Sequence, residues 1–292
     1  MGHAMVSITE IVKRFKQNST EELNPLNIAT ACRDCGMKWI DSMLNPIVTI
    51  QIFFLQILHG NTACQHLPCL ARMSFTAAGY CKARMRLELE AFQLLLQRSV
   101  EVIQQSTLDQ GRWFGHRVLL VDGTSFSMPD THQLPAHFGQ SGAQKPGCGF
   151  PTAHWLAMLH LGTGMITQML ASPLRTHDVS QTVELHPELK RDDLLVGDRA
   201  FCSFAHWALL IGQCVHAVLR IHQGTIVDFN PRRPHIVPGK DAARKGLPRS
   251  RWLRGLGVRD QIVLWFKPVR KPDGMTGQQF ASLPDELTVR EL

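Results

Sequence analysis

The sequence has no uninterrupted apolar segment long enough to cross a bilayer. Its longest apolar stretch, Ile47 to Leu58, contains Thr49, Gln51 and Gln56, whereas a membrane span needs about 18 or more apolar residues. The N-terminus also lacks a basic segment followed by an apolar run and a small-residue cleavage site, so no secretory signal is visible. We therefore expect a cytoplasmic protein with no membrane partner.

Aromatic residues are scarce, at 7% of the chain, and there is a single tyrosine, Tyr80. Of the 292 residues, 44% are hydrophobic and 19% are charged, which is a globular composition and excludes a disordered, collagenous or fibrous protein. At roughly 100 to 200 residues per domain, this length predicts two domains, or one large domain with an insertion.

The eight cysteines are not arranged as a disulfide framework, because they are scattered through a chain of cytosolic character, where thiols stay reduced. One spacing leaves an alternative open. Cys32 and Cys35 form a CxxC pair, Cys64 and Cys69 follow about thirty residues later, and two such pairs can bind zinc. We favour small buried thiols, since the second gap is four residues and lies beside an apolar helix.

Apolar residues recur at helical spacing through the first third of the chain. Proline follows asparagine at Asn24-Pro25 and Asn45-Pro46, which marks breaks between helices. Helices are predicted at Ile8–Phe15, Trp39–Leu58 and Lys82–Ile103. We therefore predict an all-helical N-terminal region over residues 1–112.

The periodicity changes beyond Arg112. Arg117 to Val121 reads as a short buried strand that ends at Asp122. The elements predicted after it are strands at His154–Leu161, Met165–Leu174, Leu194–Val196 and Val215–Ile221, and helices at Val179–Leu189 and Phe204–Gly212. Three antiparallel strands followed by parallel units give the order βββαβαβ, that of the ribonuclease H-like fold, an α/β fold whose mixed sheet carries helices on its faces. We assign this core to residues 113–221.

Residues 222–292 read as a basic, β-rich insertion. Strand candidates are Ile226–Phe229, Gln261–Val269 and Glu286–Leu292. Between Arg232 and Arg259 there are nine basic residues and one acid, Asp241, a net charge of +8 in a chain whose total is +7. Such a concentration of charge is expected where one surface contacts a polyanion. We favour nucleic-acid contact over a loop whose charges only keep it soluble.

Two aspartates follow apolar strands, Asp122 in LLVDGTS and Asp198 in LLVGDRAF. A carboxylate beside buried Leu and Val is costly to bury unless it is paired or binds a cation, so each is expected at a strand end facing a cleft. Together the two could bind hard divalent cations such as Mg²⁺, which prefer oxygen ligands, and two such ions support phosphodiester transfer. The alternatives are an Asp-Gly turn at the first position and an ion pair of Asp198 with Arg199. The two aspartates on neighbouring strands favour a metal site.

The sequence resembles the DDE transposases of bacterial insertion sequences, specifically the type-four insertion-sequence family. The likeness lies in the run Leu195 to Ser203, with Asp122-Gly123-Thr124 upstream. Further similar segments are Leu55 to Gly60, Tyr80 to Arg84, His216 to Arg220, Pro248 to Trp252, Asp260 to Pro268 and Leu283 to Glu291. These segments extend over nearly the whole chain.

The resemblance implies DNA transposition by a ribonuclease H-like core with a β insertion, three carboxylates and two divalent ions, Mg²⁺ or Mn²⁺. It implies that Asp122 and Asp198 are the first two catalytic, metal-binding carboxylates, and that Arg199 steadies a phosphate or Asp198 itself. It also implies DNA ends and target DNA as partners, DNA-end binding by the N-terminal region, a homodimer in a synaptic complex and association with the nucleoid.

Further basic residues are candidate DNA contacts, with a solvated surface as the alternative for each. Lys145 is one. It lies in a loop, Gly139 to Gly149, that lacks the Gly-Lys-Ser/Thr ending of a phosphate loop and is therefore not read as one. The others are Lys82, Arg84, Arg86, Arg244, Lys245, Arg249, Arg251 and Arg254.

The third carboxylate is where the sequence departs from the family, which places a glutamate on a helix after the insertion, near a Tyr-x-x-Arg motif. No tyrosine follows Asp198, and the alternation in ELTVREL predicts that Glu286 and Glu291 lie on a strand. We therefore expect a chain truncated within or just after the insertion, and inactive. A catalytically silent DNA-binding remnant is the alternative function, and a nuclease without strand transfer is a third.

Overall fold

A computed structural model of the chain describes residues 23–106, 112–131, 133–140, 145, 149–174, 178–236, 246–273 and 275–292. The chain divides into two compact units, Met1–Gln110 and Gly111–Leu292. Among the described helices, none combines the length and apolarity needed to span a membrane.

The first unit is helical over its described residues. Its helices are α1 (Pro25–Asp34), α2 (Pro46–Leu58), α3 (Leu67–Ala71), α4 (Ala77–Arg84) and α5 (Leu89–Ser106). The helix predicted at Trp39–Leu58 begins later, at Pro46, because the Asn45 side chain accepts a hydrogen bond from the backbone N–H of Val48 and caps the helix there. The helix predicted at Ile8–Phe15 lies outside the described residues.

The single helix predicted at Lys82–Ile103 is two helices, α4 and α5. Between them the N–H of Arg86 donates to Ala83 O and that of Leu87 to Arg84 O, which are the tighter i to i−3 bonds of a helix end. The turn lets α5 pack its apolar face, including buried Ala91 and Leu95, into a core with α1 and α2.

The second unit contains a sheet in the order β4-β3-β2-β5-β6, with β1 paired to β2. Its elements are β1 (Arg112–Trp113), β2 (His116–Ser127), α6 (Leu134–Phe138), β3 (Thr152–His160), β4 (Ile166–Pro173), α7 (Asp178–Leu185), β5 (Leu194–Gly197), α8 (Phe204–Gly212) and β6 (His216–Leu219). Short 3-10 turns follow α7 at His186–Glu188 and β5 at Arg199–Phe201. Apart from the short α6 between β2 and β3, the order from β2 to β6 is the predicted βββαβαβ. The β2–β3 and β3–β4 pairs are antiparallel, and the β2–β5 and β5–β6 pairs are parallel. The fold is a mixed α/β fold of the ribonuclease H-like kind.

Strand β2 continues to Ser127, whereas the sequence predicts that it ends at Asp122. Its pairing with β5 stops at Val121, while its pairing with β3 runs on to Ser127. The apolar run therefore marks the part of β2 that is covered by strands on both sides, and the polar part has only one neighbouring strand.

A second sheet, in the order β7-β8-β9, forms the C-terminal part of this unit. It contains β7 (Ser250–Gly257), β8 (Asp260–Phe266) and β9 (Glu286–Glu291), with α9 (Gly277–Ser282) between the last two strands. The inner face of this sheet, including Val263 and Val289, packs against Phe204 and Ala208 of α8. The strand predicted at Ile226–Phe229 is absent from the described structure, which has irregular backbone there.

Candidate active site

Asp122 and Asp198, the aspartate pair, follow the last matched residues of the two central parallel strands. Val121 pairs with Gly197 at the end of the β2–β5 ladder, so each aspartate comes one residue later. Neighbouring strands lie about 4.8 Å apart, and side chains alternate between faces. The two carboxylates therefore start from adjacent backbone positions, on the face opposite Val121.

A close approach of the backbone keeps the strands together at this point. A Cβ atom on Gly197 would lie 3.0 Å from Cγ1 of Val121 and 3.1 Å from side-chain atoms of Leu219 and Phe201. Glycine at this position therefore allows β5 and the turn after it to pack directly beneath the aspartate pair.

Both aspartates are exposed, and one carboxylate oxygen of each accepts a hydrogen bond from a nearby backbone amide. Asp122 Oδ1 accepts from Gly123 N at 2.9 Å, and Asp198 Oδ1 accepts from Ala200 N at 2.8 Å, capping the Arg199–Phe201 turn. Among the described residues, no donor bonds the second oxygen of either. Two carboxylates at one edge with free oxygens fit the ligand preference of a hard divalent cation, the rest of whose shell would be water and phosphate.

Arg199 does not form an ion pair with Asp198 in the described structure. Its Nη1 donates instead to Oε1 of Gln223 at 2.6 Å, and the guanidinium is exposed. Because Gln223 is neutral, the charge of Arg199 stays uncompensated and available to a phosphate. No local pattern identifies Gln223 as a partner of Arg199, because it lies in an irregular segment.

Glu291 is not placed to complete the site. It is 5% exposed on the inner face of the second sheet, where its two oxygens accept from Gln261 Nε2 and Trp265 Nε1, each at 2.8 Å. Glu286 lies on the opposite face of β9 and is exposed. No group of three His, Cys, Asp or Glu within the described ranges is arranged to bind a metal ion, and this includes Cys32, Cys35, Cys64 and Cys69, for which zinc binding is the alternative to buried thiols.

The candidate DNA contacts of the first unit differ from one another. Lys82 and Arg86 are exposed on and just after α4. Arg84 is exposed as well, but its guanidinium lies over the rings of Phe53 and Tyr80, at 5.8 and 5.7 Å from their centres, and donates to a buried glutamine at 3.3 Å. Arg84 is therefore engaged with the helical core.

The basic residues of the second unit are also unequal. Lys145, Arg249, Arg251 and Arg254 are exposed, whereas Arg244 and Lys245 lie outside the described residues. Arg233, counted in the basic stretch, is 6% exposed and donates to Ser250 O and Oγ at 2.7 and 2.8 Å. The Arg233 guanidinium therefore stabilises the insertion, because it donates hydrogen bonds to oxygens of Ser250 that are buried with it.

Arg251 and Arg254 lie on one face of the second sheet. They pair with Leu264 and Ile262, which are two residues apart on β8, so all four side chains are on the same side. We call this the outer face. Trp252 pairs with Val263, so their side chains lie on the opposite face, and Val263 belongs to the core that this opposite face covers. Arg290, paired with Ile262 from β9, shares the outer face but is bonded to Asp260 at 2.8 and 2.6 Å.

Sequence reasoning missed a buried histidine pair behind the Asp198 turn. His186 and His206 are 3% and 1% exposed, and their Nε2 atoms are 3.1 Å apart. Burial lowers the pKa of both imidazoles, that of His186 to about 4. The chain's fourteen histidines are dispersed, and only the fold brings these two together.

Comparison with known proteins gives a family and several distant structures. Among solved structures, this chain is similar to the piggyBac transposase synaptic complex with hairpin DNA. The two sequences are 10% identical, the TM-score is 0.40, and the match covers 90% of this chain and 56% of that one. The Mos1 transposase paired-end complex with left transposon end is 11% identical with a TM-score of 0.25, covering 62% of this chain and 60% of that one. This chain therefore spans less than two thirds of their length. Curated proteins yield no match.

The family model described as transposase DDE domain matches residues 113–261, which is 149 of the 292 residues. This match begins with β1, includes both members of the aspartate pair and extends into β8. The chain thus belongs to the family of proteins with a transposase DDE domain.

Proposed function

We propose that this chain is a DNA transposase component whose aspartate pair binds divalent metal at the edge between β2 and β5. The observation that carries the proposal is the register of Val121 with Gly197, since Asp122 and Asp198 each come one residue after this last matched pair. Bound Mg²⁺ or Mn²⁺, two ions in a complete site, would supply charge stabilisation for phosphodiester cleavage and strand transfer.

The chain's own residues bind and orient the DNA in this account. Asp122 and Asp198 supply oxygen ligands, and Arg199 binds a phosphate of the substrate strand while Gln223 holds its guanidinium beside the site. Exposed Arg249, Arg251 and Arg254 contact the backbone of the transposon-end or target DNA, since phosphate contacts position a duplex without reading its sequence. Lys82, Arg86 and Lys145 are weaker candidates for the same role.

We further propose that the chain acts with others. Pairing of two transposon ends would place two copies in one synaptic assembly, and DNA substrates would place the protein at the nucleoid. The finer family assignment, the bacterial insertion sequences of type four, belongs to the same proposal.

The alternative function is a DNA-binding remnant without cleavage. It is favoured by one observation, that the described residues offer two carboxylates at the site and no third. Two carboxylates would bind metal weakly and clamp the transition-state charge incompletely. A nuclease without strand transfer is the remaining alternative.

One assay separates these functions. The chain is incubated with Mn²⁺ and a labelled DNA fragment carrying the sequences that flank its own gene, and binding, cutting and joining are scored separately. Cutting and joining support the transposase, binding alone the remnant, and cutting alone the nuclease. Asp122→Asn and Asp198→Asn should each lower cutting by at least about a hundredfold. Asp192→Asn, at an exposed aspartate two residues before strand β5, should not.

A further inference from the structure

The buried histidine pair is joined to the turn that carries Asp198. His206 Nδ1 lies 2.8 Å from the carbonyl oxygen of Phe201, the last residue of the Arg199–Phe201 turn. A carbonyl oxygen only accepts, so Nδ1 of His206 carries the proton and donates it. Its Nε2 is then the acceptor in the neutral ring.

The second histidine completes this arrangement. Because Nε2 of His206 accepts, Nε2 of His186, 3.1 Å away, must donate. The two rings are nearly parallel, with centres 5.1 Å apart, and each is almost fully buried. Burial lowers the pKa of both imidazoles, which keeps the pair neutral and preserves one fixed set of tautomers.

His206 supplies the shortest hydrogen bond at the end of the turn between β5 and α8, and the only one from a side chain among the described residues. At its start, Asp198 O accepts from Phe201 N at 3.2 Å and Asp198 Oδ1 accepts from Ala200 N at 2.8 Å. At its end, Cys202 N donates to Arg199 O at 3.3 Å, and the carbonyl of Phe201 accepts from Ser203 N at 3.1 Å and from His206 Nδ1 at 2.8 Å. The Phe201 ring is 1% exposed and lies under Gly197, so a shift of Phe201 would be transmitted directly to the backbone on both sides of Asp198.

We propose that His206 is a positioning residue, which through its Nδ1–H bond to Phe201 O fixes the Arg199–Phe201 turn and thereby the orientation of the Asp198 carboxylate toward bound metal. His186 fixes the tautomer of His206. This rests on the proposed function, in that Asp198 is taken to be a metal ligand. His206 itself touches no metal or substrate, and acts only through the turn.

The test compares two substitutions that both lose the contact with His186 but differ in the bond to Phe201. His206→Asn keeps an N–H donor near the position of Nδ1, while His206→Leu keeps the bulk and removes the donor. Mn²⁺ affinity of the full chain is measured by electron paramagnetic resonance of the free ion, well below each variant's melting temperature. We expect His206→Leu to weaken Mn²⁺ binding by about 10-fold to 100-fold, the range for residues that orient metal ligands. His206→Asn should stay within about 3-fold of wild type, a loss smaller than that range.

The outcomes are distinguishable. Equal Mn²⁺ affinity in His206→Leu and wild type, or equal losses in both variants, would overturn the positioning role. Asp198→Asn in the same titration tests the proposed function separately, since unchanged Mn²⁺ binding there removes Asp198 as a ligand, whatever His206 does. If neither variant folds, ¹⁵N spectra of the wild-type imidazoles decide. The proposal requires protonated Nδ1 in His206 and protonated Nε2 in His186, and the opposite tautomer in His206 contradicts it.

Discussion

Gly197 lies so close to Val121 that a Cβ atom added to Gly197 would be 3.0 Å from Val121 Cγ1. Side-chain atoms of Leu219 and Phe201 would be 3.1 Å away, so three neighbours would have to move at once. Gly197→Ala should therefore lower the free energy of unfolding by about 1 to 3 kcal/mol, as overpacking does. It should also weaken Mn²⁺ binding, because the displaced strand carries Asp198.

Urea denaturation measures this effect, and Gly212→Ala is the matched control. A Cβ atom on Gly212, at the end of α8, would meet nothing within 4 Å, so Gly212→Ala should leave the free energy of unfolding unchanged or raise it by up to about 1 kcal/mol. Equal stabilities of the two variants would show that the close approach at Gly197 does not constrain the strands.

Glu291 is predicted to stabilise the second sheet without binding metal. Glu291→Ala leaves the buried donors of Gln261 and Trp265 without their acceptor, which should cost about 2 to 4 kcal/mol of stability. Glu286→Ala, on the exposed face of the same strand, should change stability by less than about 0.5 kcal/mol. Mn²⁺ affinity should be unchanged at temperatures where each variant is folded, and a loss of Mn²⁺ binding confined to Glu291→Ala would make Glu291 a ligand after all.

The histidine pair predicts that the second unit loses stability in mild acid. The pKa of His186 is about 4 in the folded protein and near 6.5 when unfolded, so between these values the unfolded chain binds the extra proton. Stability is therefore full above about pH 6.5 and falls as the pH drops toward 4, by roughly 3 kcal/mol for His186.

Urea denaturation at a series of pH values checks this slope. His186→Leu should be flatter than wild type between pH 6.5 and 4, because it removes one group with a lowered pKa. His59→Leu, at an exposed position after α2, should retain the wild-type slope. A His186→Leu slope as steep as that of wild type would show that His186 is not responsible.

The outer face of the second sheet predicts the salt dependence of DNA binding. Arg254 and Arg290 lie opposite one another across Ile262, but only Arg290 is bonded to a carboxylate, that of Asp260. Arg254→Gln should reduce the slope of log affinity against log salt by about one. Arg290→Gln should reduce it by less, and fluorescence anisotropy on a duplex at several salt concentrations compares the two. Equal slopes for Arg254→Gln and wild type would remove this face from the DNA interface.

Local sequence patterns predict the elements whose ends and buried faces depend on neighbouring residues. Helix α8 begins and ends where predicted, because Ser203 caps a short apolar run. The alternation in ELTVREL identified β9, whose Leu287 and Val289 are buried. Local periodicity predicts the order of strands and helices along the chain. That order in turn predicts that β2 and β5 are neighbours in the sheet.

Other features depend on contacts between distant residues. Strand β7 was missed since its arginines and glycines conceal the alternation. The burial of Arg233 depends on Ser250, 17 residues away, and the histidine pair joins residues 20 apart. Local periodicity cannot find such partners, because the fold alone brings them together.

Mn²⁺ binding by single aspartate variants tests the site most directly. Asp122→Asn and Asp198→Asn change one carboxylate oxygen each, one residue after the last matched pair of β2 and β5. Asp192→Asn makes the same change two residues before β5 begins. The account predicts that the first two weaken Mn²⁺ binding at least about tenfold, while Asp192→Asn binds like wild type. Wild-type Mn²⁺ affinity in both Asp122→Asn and Asp198→Asn would contradict a shared metal site between β2 and β5.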